Sequence, residues 1–458
     1  MTPPAAWSRL CSSDKDALIK ALLGQLAEFK ARVERLEAEN AELRAKLDLP
    51  PKTPDNSSLP PSRGQKASQP AAARPNKRPH AGAHRPLHPN PTNRCDCLAS
   101  HCRHCGSDLA GVAQVVCEAY DRIEMPQIAP DVTRVSLYGG ICPCCSRRFK
   151  AQPPLDLEPG SPFGPNLRAF VIYLRSVQGI PLERLSQVLR DLFGLEISEG
   201  ALVNILSASR DAFATQTEAI KSRLKSGSVL ESDETGIRVG KANWWLWVFH
   251  HADSAVFVID RRRAKAVVGS FLGDYRPDCW ISDRYGAQMG WAQKEHQICL
   301  AHLIRDVQYA IDAGDRVLAP SLKTLLKRAC AIGRRRPDLV DTTLKRYAAD
   351  LEKRLDAVLA CTPTAPAGLK LHKLIKTIRR HLFVFVTKRD IAPTNNGSER
   401  ALRPCAVYRK ITNGFRSEWG AALYAEIRSV VETARRRAIC AIDAIRLTLQ
   451  RLPLPTPT

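Results

Sequence analysis

With 458 residues, the chain is long enough for about two to four folding units, which excludes a peptide hormone or a disulfide-stapled mini-scaffold. Lysine and arginine outnumber aspartate and glutamate by 69 to 46, a formal charge of +23 on an otherwise ordinary composition of 44% hydrophobic and 25% charged residues. Such an excess points to a polyanionic partner, most often nucleic acid. No run of about 18 apolar residues occurs, and the N-terminal stretch lacks a charged start followed by an apolar core, so the expectation is a cytoplasmic protein without a membrane span. Of the fifteen cysteines, more than half fall between Cys95 and Cys145, the crowding expected of a metal site in a reducing compartment.

The first element in chain order is a helix over residues 15–49. Ile19, Leu22, Leu26, Phe29, Val33, Leu36, Asn40, Leu43 and Leu47 alternate in steps of three and four, which sets them on one seam at the a and d positions of about four heptads. Charged residues such as Glu28, Arg32, Arg35 and Glu39 flank the seam, and Asn40 would fix its register by pairing with its own copy. The pattern predicts homo-oligomerisation through a parallel coiled coil; the competing reading is a helix docked on the protein's own core. Residues 50–94 form a basic, Pro-rich linker whose only acid is Asp55, too poor in apolar surface to fold alone. Lys52, Arg63, Lys66, Arg74, Lys77, Arg78, Arg85 and Arg94 suit sequence-blind phosphate contact, with a solvated spacer as the alternative.

Residues 95–155 read as a zinc-ribbon-like module. Cys102-Arg-His-Cys105-Gly106 and Cys142-Pro-Cys-Cys145 are two C-x2-C knuckles, with strand-like sequence over 112–118 and 132–138 between them. Four thiolates close a tetrahedral structural site for one Zn²⁺ and leave no position for substrate. Cys95, Cys97, Cys144, His101 and His104 are further candidate ligands.

The segment 165–225 is helical and resembles a DNA-binding helix-turn-helix. Helices are predicted over 167–178, 182–193 and 198–210, with Gly194 in the turn and Ser198 as N-cap. The third would offer Ser198, Glu199, Asn204 and Arg210 to a groove; a plain helical bundle is the alternative, because that helix is poor in basic residues.

From residue 226 to 410 the pattern becomes α/β. Strands at 229–239, 244–250 and 255–260 are followed by a helix over 261–272, a strand at 279–282, another helix, a short strand near Ile298 and a helix from about Ala301. That order is the one of a ribonuclease H-like fold, a mixed sheet flanked by helices. Asp233 falls inside the first strand, Asp283 ends the fourth, and Glu399 opens a late helix. The first and fourth strands are neighbours in such a fold, so acids far apart in sequence meet. Phosphodiester chemistry uses oxygen ligands of this kind to hold two Mg²⁺ about 3.5–4 Å apart. Glu231, on the same strand face as Asp233, is the main rival for the first ligand, while Glu234 points to the other face.

On these residues the chain resembles bacterial insertion-sequence transposases with an Asp-Asp-Glu active site, of the insertion-sequence sixty-six family. The matching pieces are the leading heptads, Asn56-Ser57-Ser58-Leu-Pro60-Pro61-Ser62, the paired knuckles, Asp233-Glu234-Thr235, Ser282-Asp283-Arg-Tyr285, Cys299-Leu-Ala-His302 and Asn395-Asn396-Gly-Ser-Glu399-Arg400-Ala-Leu402-Arg403-Pro404. The resemblance implies that Asp233, Asp283 and Glu399 are the catalytic triad and the magnesium ligands. It further implies a helical insertion over 303–394, a C-terminal helical tail over 411–458 and two small companion transposition proteins.

Around the triad, Asn395 and Asn396 suit helix capping, and Arg400, Arg403, Arg409, Lys410 and Arg416 form a basic face for DNA phosphates. Cys299 and His302 are expected to pack or hydrogen-bond beside the site, and Trp244, Trp245 and Trp247 to pack in the core. The expected protein is a nucleoid-associated bacterial transposase. It would cut element ends and transfer 3′-hydroxyl strands to target DNA, using two Mg²⁺ for catalysis and one Zn²⁺ for structure. The alternative is a non-catalytic zinc-containing DNA-binding protein, a transposase relic or repressor.

Overall fold

The structure, a computed structural model, describes residues 11–47, 49–53, 55–57, 85–125, 128–155 and 157–457. The basic residues from Arg63 to Arg78 expected to track phosphates, and the Pro60-Pro61-Ser62 part of the linker motif, lie outside the described residues. The chain divides into two compact units: Met1–Gly64, Gly160–Leu185 and Ser198–Thr458 form one, Gln65–Pro159 and Ser186–Ile197 the other.

The elements follow in chain order. A 36-residue helix, α1 (Ser12–Leu47), leaves its apolar residues Ile19, Leu22, Leu26, Phe29, Val33 and Leu36 exposed. Two three-residue strands, β1 (Gly139–Ile141) and β2 (Arg148–Lys150), form an antiparallel ribbon around the second knuckle. Helices α2 (Pro165–Ile172), α3 (Leu182–Phe193), α4 (Glu199–Ala208) and α5 (Arg210–Lys225) come next. Ser198 caps α4 as its position predicts, accepting the Ala201 N–H at 3.2 Å. The α/β part then runs β3 (Val229–Val239), β4 (Ala242–His251), β5 (Ser254–Asp260), α6 (Lys265–Leu272), β6 (Cys279–Ser282) and β7 (Glu295–Ile298). Helices α7 (Leu300–Asp312), α8 (Ala319–Arg335), α9 (Asp341–Ala360), α10 (Pro366–Ile378) and α11 (Val384–Thr387) precede α12 (Asn396–Thr412), α13 (Glu418–Arg436) and α14 (Ala441–Leu449). No described helix is long and apolar enough to cross a membrane.

The sheet is five-stranded and mixed, in the order β5-β4-β3-β6-β7. Strands β3, β4 and β5 form the antiparallel meander, and β6 and β7 run parallel to β3. Period-2 alternation decides what each face buries. On one face, Val229 and Ile281 join an apolar cluster with Leu303 and Val307 of α7 and Leu322 of α8. Further along the same face, Ile237, Val239, Leu246 and Val248 pack under Ala401, Leu402 and Cys405 of α12 and Tyr424 of α13. The other face buries Trp247, Phe249 and Trp280, and the Phe249 ring stacks on Phe271 of α6 at 3.9 Å. Such burial is worth about 1.5–3 kcal/mol per large side chain, so the sheet is held from both sides at its centre.

Four local expectations change. Residues 112–118 and 132–138 form no strand; the second run only ends on a backbone bond from the Ala151 N–H to the Tyr138 carbonyl at 2.8 Å, beside the β1–β2 ribbon. Val115 and Val116 are each 83% exposed, and β-branched residues favour strands only against a half-buried pleated surface. Helix α6 starts at Lys265, not at Arg261, because the Asp260 carboxylate takes the Arg262 N–H at 2.7 Å and holds the chain in a turn. Between β6 and β7 the expected helix is reduced to a single 3₁₀ turn, Gly286–Gln288. The tail is two helices: Ala438 takes φ +57°, and the Ile439 N–H bonds the Ala434 carbonyl at 2.8 Å. This is a Schellman closure that ends α13.

Burial also marks a weak point in the α5–α13 packing. It raises the Glu426 carboxyl to about 7, assisted by Asp211 and Glu218 and opposed by Arg210. A carboxyl with a raised folded pKa holds its proton while the unfolded chain releases it, so stability falls as pH rises from about 4.5 to about 7 and stays lower above. Glu426→Gln should therefore stabilise the fold at pH 8 by ~1–3 kcal/mol and leave it almost unchanged at pH 4. Urea unfolding at the two pH values measures this.

Candidate active site

β3 carries three acids in four residues, and their surroundings differ. Glu234 lies on the α6 face with its side chain only 1% exposed, paired with Arg263 at 2.6 Å and accepting a hydrogen bond from Gln288. Burial and Asp283 raise its pKa against the pull of Arg263 and Gln288. Glu231 points to the opposite face, 3.6 Å from His251 Nδ1 and 3.9 Å from His250 Nδ1. Burial works to raise it, but His251, His250 and Arg436 together leave it below the usual range. Glu234 thus has an arginine paired with it, and Glu231 has His251 and the charge of Arg436 near it.

Asp233 lies between them on the Glu231 face. Its Oδ1 accepts the adjacent Glu234 N–H at 2.9 Å. Burial pushes its pKa well above the usual carboxylate value, and the charges of Glu234, Asp283 and Glu399 push it further. The strand pairing explains this convergence. Glu231 is in parallel register with Ile281, so two places further along both strands Asp233 comes opposite Asp283, just past the end of β6. The Asp283 carboxylate is oriented by the Tyr285 N–H at 2.8 Å.

Glu399 reaches the group through α12. Asn395 occupies the N-cap position, yet its side chain makes no cap hydrogen bond to the helix backbone. Its Nδ2 instead donates to the Ser232 carbonyl on β3 at 2.8 Å, its Oδ1 accepts from Ser398 Oγ at 2.6 Å, and its N–H donates to Cys299 Sγ at 3.1 Å. Ser398 Oγ also meets His250 Nε2 on β4 at 2.8 Å. Since the Ser398 proton goes to Asn395, His250 donates from Nε2 and stays neutral, consistent with burial lowering its pKa to about 3. Gly397 permits the close approach: a Cβ there would stand 3.1 Å from His250 Cε1 and 3.2 Å from Glu231 Oε2. Glu399, 37% exposed, then sits in the first turn of α12 with His302 Nε2 of α7 3.4 Å from its Oε1. A carboxylate in a first turn is favoured by the helix dipole.

The basic face is partly as expected. Arg400, Arg403, Lys410 and Arg416 are exposed, whereas Arg409 turns inward and donates to the Gly236 carbonyl of β3. Trp247 is fully buried; Arg261 lies over the Trp244 ring at 5.1 Å and Arg263 over the Trp245 ring at 4.7 Å.

In the other unit the two knuckles share one backbone pattern. The Gly106 N–H bonds the Cys102 carbonyl at 2.8 Å and the Ser146 N–H bonds the Cys142 carbonyl at 2.9 Å. The Ser107 hydroxyl lowers the Cys105 thiol, and the Cys145 and Cys144 N–H groups lower Cys142. These are donors suited to thiolate ligands. Among the described residues, no three or more His, Cys, Asp or Glu side chains are gathered into a group that could hold a metal ion. The fit is therefore one of donor chemistry: hard carboxylate oxygens with uncompensated charge at Asp233, soft sulfurs at the knuckles.

The chain matches the model of the family described as Transposase IS66 family over residues 160–423, more than half its length. No match was found among curated proteins. This protein belongs to the IS66 family of transposases.

Ser232, His250 and Gln288 have no motif spacing that would mark them in the sequence, and Ser398 shows there only as part of the Asn395–Pro404 block. Asn395 was visible only as a helix cap. Asn395→Ala should remove the tie to Ser232, costing about 1–3 kcal/mol for the buried carbonyl left unpaired. DNA cleavage should fall more than DNA affinity does, as read by parallel melting, binding and cleavage assays.

Proposed function

We propose that Asp233, Asp283 and Glu399 form an Asp-Asp-Glu active site on a ribonuclease H-like core, and that the protein cuts the ends of its insertion sequence and joins the freed 3′-hydroxyls to target DNA. What supports this reading is placement: the β3–β6 register sets Asp233 opposite Asp283, the first turn of α12 carries Glu399, and Glu234, Asp283 and Glu399 all raise the half-buried Asp233 carboxyl. Two Mg²⁺, when bound by the three acids, would activate the attacking oxygen and stabilise the leaving one. The chain's own part is positional: β3 and β6 hold the two aspartates in register, Asn395 ties the α12 N-terminus to β3, and His302 steadies Glu399. By helical period Arg403 and Lys410 share the Glu399 side of α12 and Arg400 stands next to it, and all three are suited to phosphates flanking the cut; Arg409, already bonded to β3, serves mainly as a brace.

The remaining segments take the roles their chemistry suits. The exposed seam of α1 forms a coiled-coil homo-oligomer that brings two DNA ends together. The basic linker over 50–94 and the helices over 165–225 grip those ends. The 95–155 module folds around one Zn²⁺ held by Cys102, Cys105, Cys142 and Cys145, and residues 303–394 form a helical insertion before the glutamate helix. The catalytic part spans 226–410 and the helical tail 411–458. The setting is the bacterial cytoplasm at the nucleoid, with small companion proteins assisting.

A labelled duplex carrying the element's flanking ends, incubated with Mg²⁺ or Mn²⁺ and companions, should give 3′-hydroxyl ends and joined products. Asp233→Asn, Asp283→Asn and Glu399→Gln should each lose both while binding DNA. Binding without cleavage in the unaltered protein would instead support a relic or repressor. Relief of like-charge crowding should also let metal-free Asp233→Asn melt about 2–4 °C higher, a shift that a merely structural aspartate would not give. For the knuckles, elemental analysis should find one zinc per chain, and none when Cys102→Ser and Cys142→Ser are combined.

A further inference from the structure

The sequence suggests that residues 50–94 form a basic linker suited to phosphates or a solvated spacer, yet Thr53, Asn56 and Ser57 are built into a seated turn. Asn56 uses all its polar groups: Oδ1 accepts the Thr53 N–H at 2.7 Å, Nδ2 donates to the Pro51 carbonyl at 3.2 Å and to Asp312 Oδ2 at 3.0 Å, and its own N–H bonds the Thr53 carbonyl at 3.3 Å. The Ser57 hydroxyl donates to the same Thr53 carbonyl at 2.6 Å. Asn56 and Ser57 are 6% and 7% exposed, which is unusual for small polar residues in a Pro-rich connector. Lys52 lies over the Tyr309 ring at 5.6 Å and attracts the Asp306 carboxylate. The receiving surface is α7, where Gln308 Nε2 holds the other oxygen of Asp312 at 2.6 Å.

Helical periodicity makes this more than an anchor. His302, Asp306, Tyr309 and Asp312 stand at i, i+4, i+7 and i+10 and share one stripe of α7. At its inner end His302 meets Glu399. One turn on, Asp306 pairs with Arg284, the residue after Asp283. The outer end, Tyr309 and Asp312, receives the turn. One helix face thus touches the connector of α1 and the supports of two of the three carboxylates.

We propose that the turn built by Thr53, Asn56 and Ser57 is a positioning latch: seated on α7, it fixes the stripe that carries His302 and Asp306, and so holds Asp283 and Glu399 in place for strand joining. The link to joining rests on the catalytic reading above, whereas the docking and its effect on the site do not. The latch makes the oligomerising helix and the active site parts of one device, since displacing the connector loosens the stripe.

The test uses the full chain and a charge-pair rescue. Asn56→Asp sets a carboxylate against Asp312 while keeping the acceptor for Thr53; adding Asp312→Asn restores a donor–acceptor pair. Hydrogen exchange should accelerate in Asn56→Asp at residues 50–57 and at the site segments 282–286 and 396–400, and return toward the original rates in the double variant. DNA joining should fall about threefold to thirtyfold and recover likewise, with end binding unchanged. Unaltered exchange at 50–57 in Asn56→Asp would refute docking. Faster exchange there with none at the two site segments, or with undiminished joining, would refute the positioning role. If the unaltered protein joins nothing, the catalytic reading fails, and exchange at the site segments still decides whether the latch reaches them.

Discussion

A half-buried carboxyl at the middle of a central strand, among other acids and with no cation beside it among the described residues, is the constraint from which much of this structure follows. Burying an ionised carboxylate without a partner costs several kcal/mol, and a strand centre is where a fold tolerates it least. Asp233 occupies the gap between two apolar clusters on one sheet face, one under α7 and α8 and the other under α12 and α13. Were the gap filled by a hydrophobic residue, the two clusters would merge into one continuous core. That it is filled by an acid, with Asp283 brought opposite by strand register and Glu399 by helix placement, is a local conflict with folding of the kind that marks working sites.

The surroundings of that acid show how the conflict is contained. Glu234 is paired with Arg263 on the far face and Glu231 has His251 and the charge of Arg436 near it, which leaves Asp233 as the acid of β3 with no such partner among the described residues. The backbone that frames it is tied by polar bonds where apolar packing would not fix orientation. Asn395 joins α12 to β3 and to Cys299, and Ser398 joins the same turn to His250 on β4. Such a network is worth having because its bonds are directional: apolar contact alone would leave the α12 N-terminus free to rotate, whereas Asn395 meets three partners on three elements at once.

Much of this was legible in the chain itself. The meander, the β6 strand at 279–282 and the placement of Asp233, Asp283 and Glu399 on their elements follow from period-2 alternation and from an N-terminal polar cluster before a helix, signals that need only neighbours in sequence. Membership of the transposase family was readable from the Asn395–Pro404 block. What was not legible depends on partners distant in the chain. The runs at 112–118 and 132–138 have strand composition but form no strand among the described residues. Asp260 delays the start of α6 through a side-chain bond that propensity does not anticipate. Ala438 breaks the tail in a left-handed conformation that its residue type does not announce. The polar ties of Asn395 and Asn56 reach 163 and 256 positions across the chain, and no spacing rule reports such distances.

Asn56 and Asn395 repeat one physical idea at opposite ends of the chain. Each is an asparagine almost wholly buried in a turn, with donor and acceptor both engaged, one bond closing its own turn and another crossing to a distant element. Aspartate lacks the donor and serine lacks the reach, so the amide is the side chain that both closes the turn and ties it down. Asn395 acts on the glutamate helix directly, while Asn56 acts on α7, which supports Glu399 from the other side through His302. The glutamate, coming from the last of the three acidic elements, is thereby the carboxylate whose position depends most on bonds made far from it in sequence.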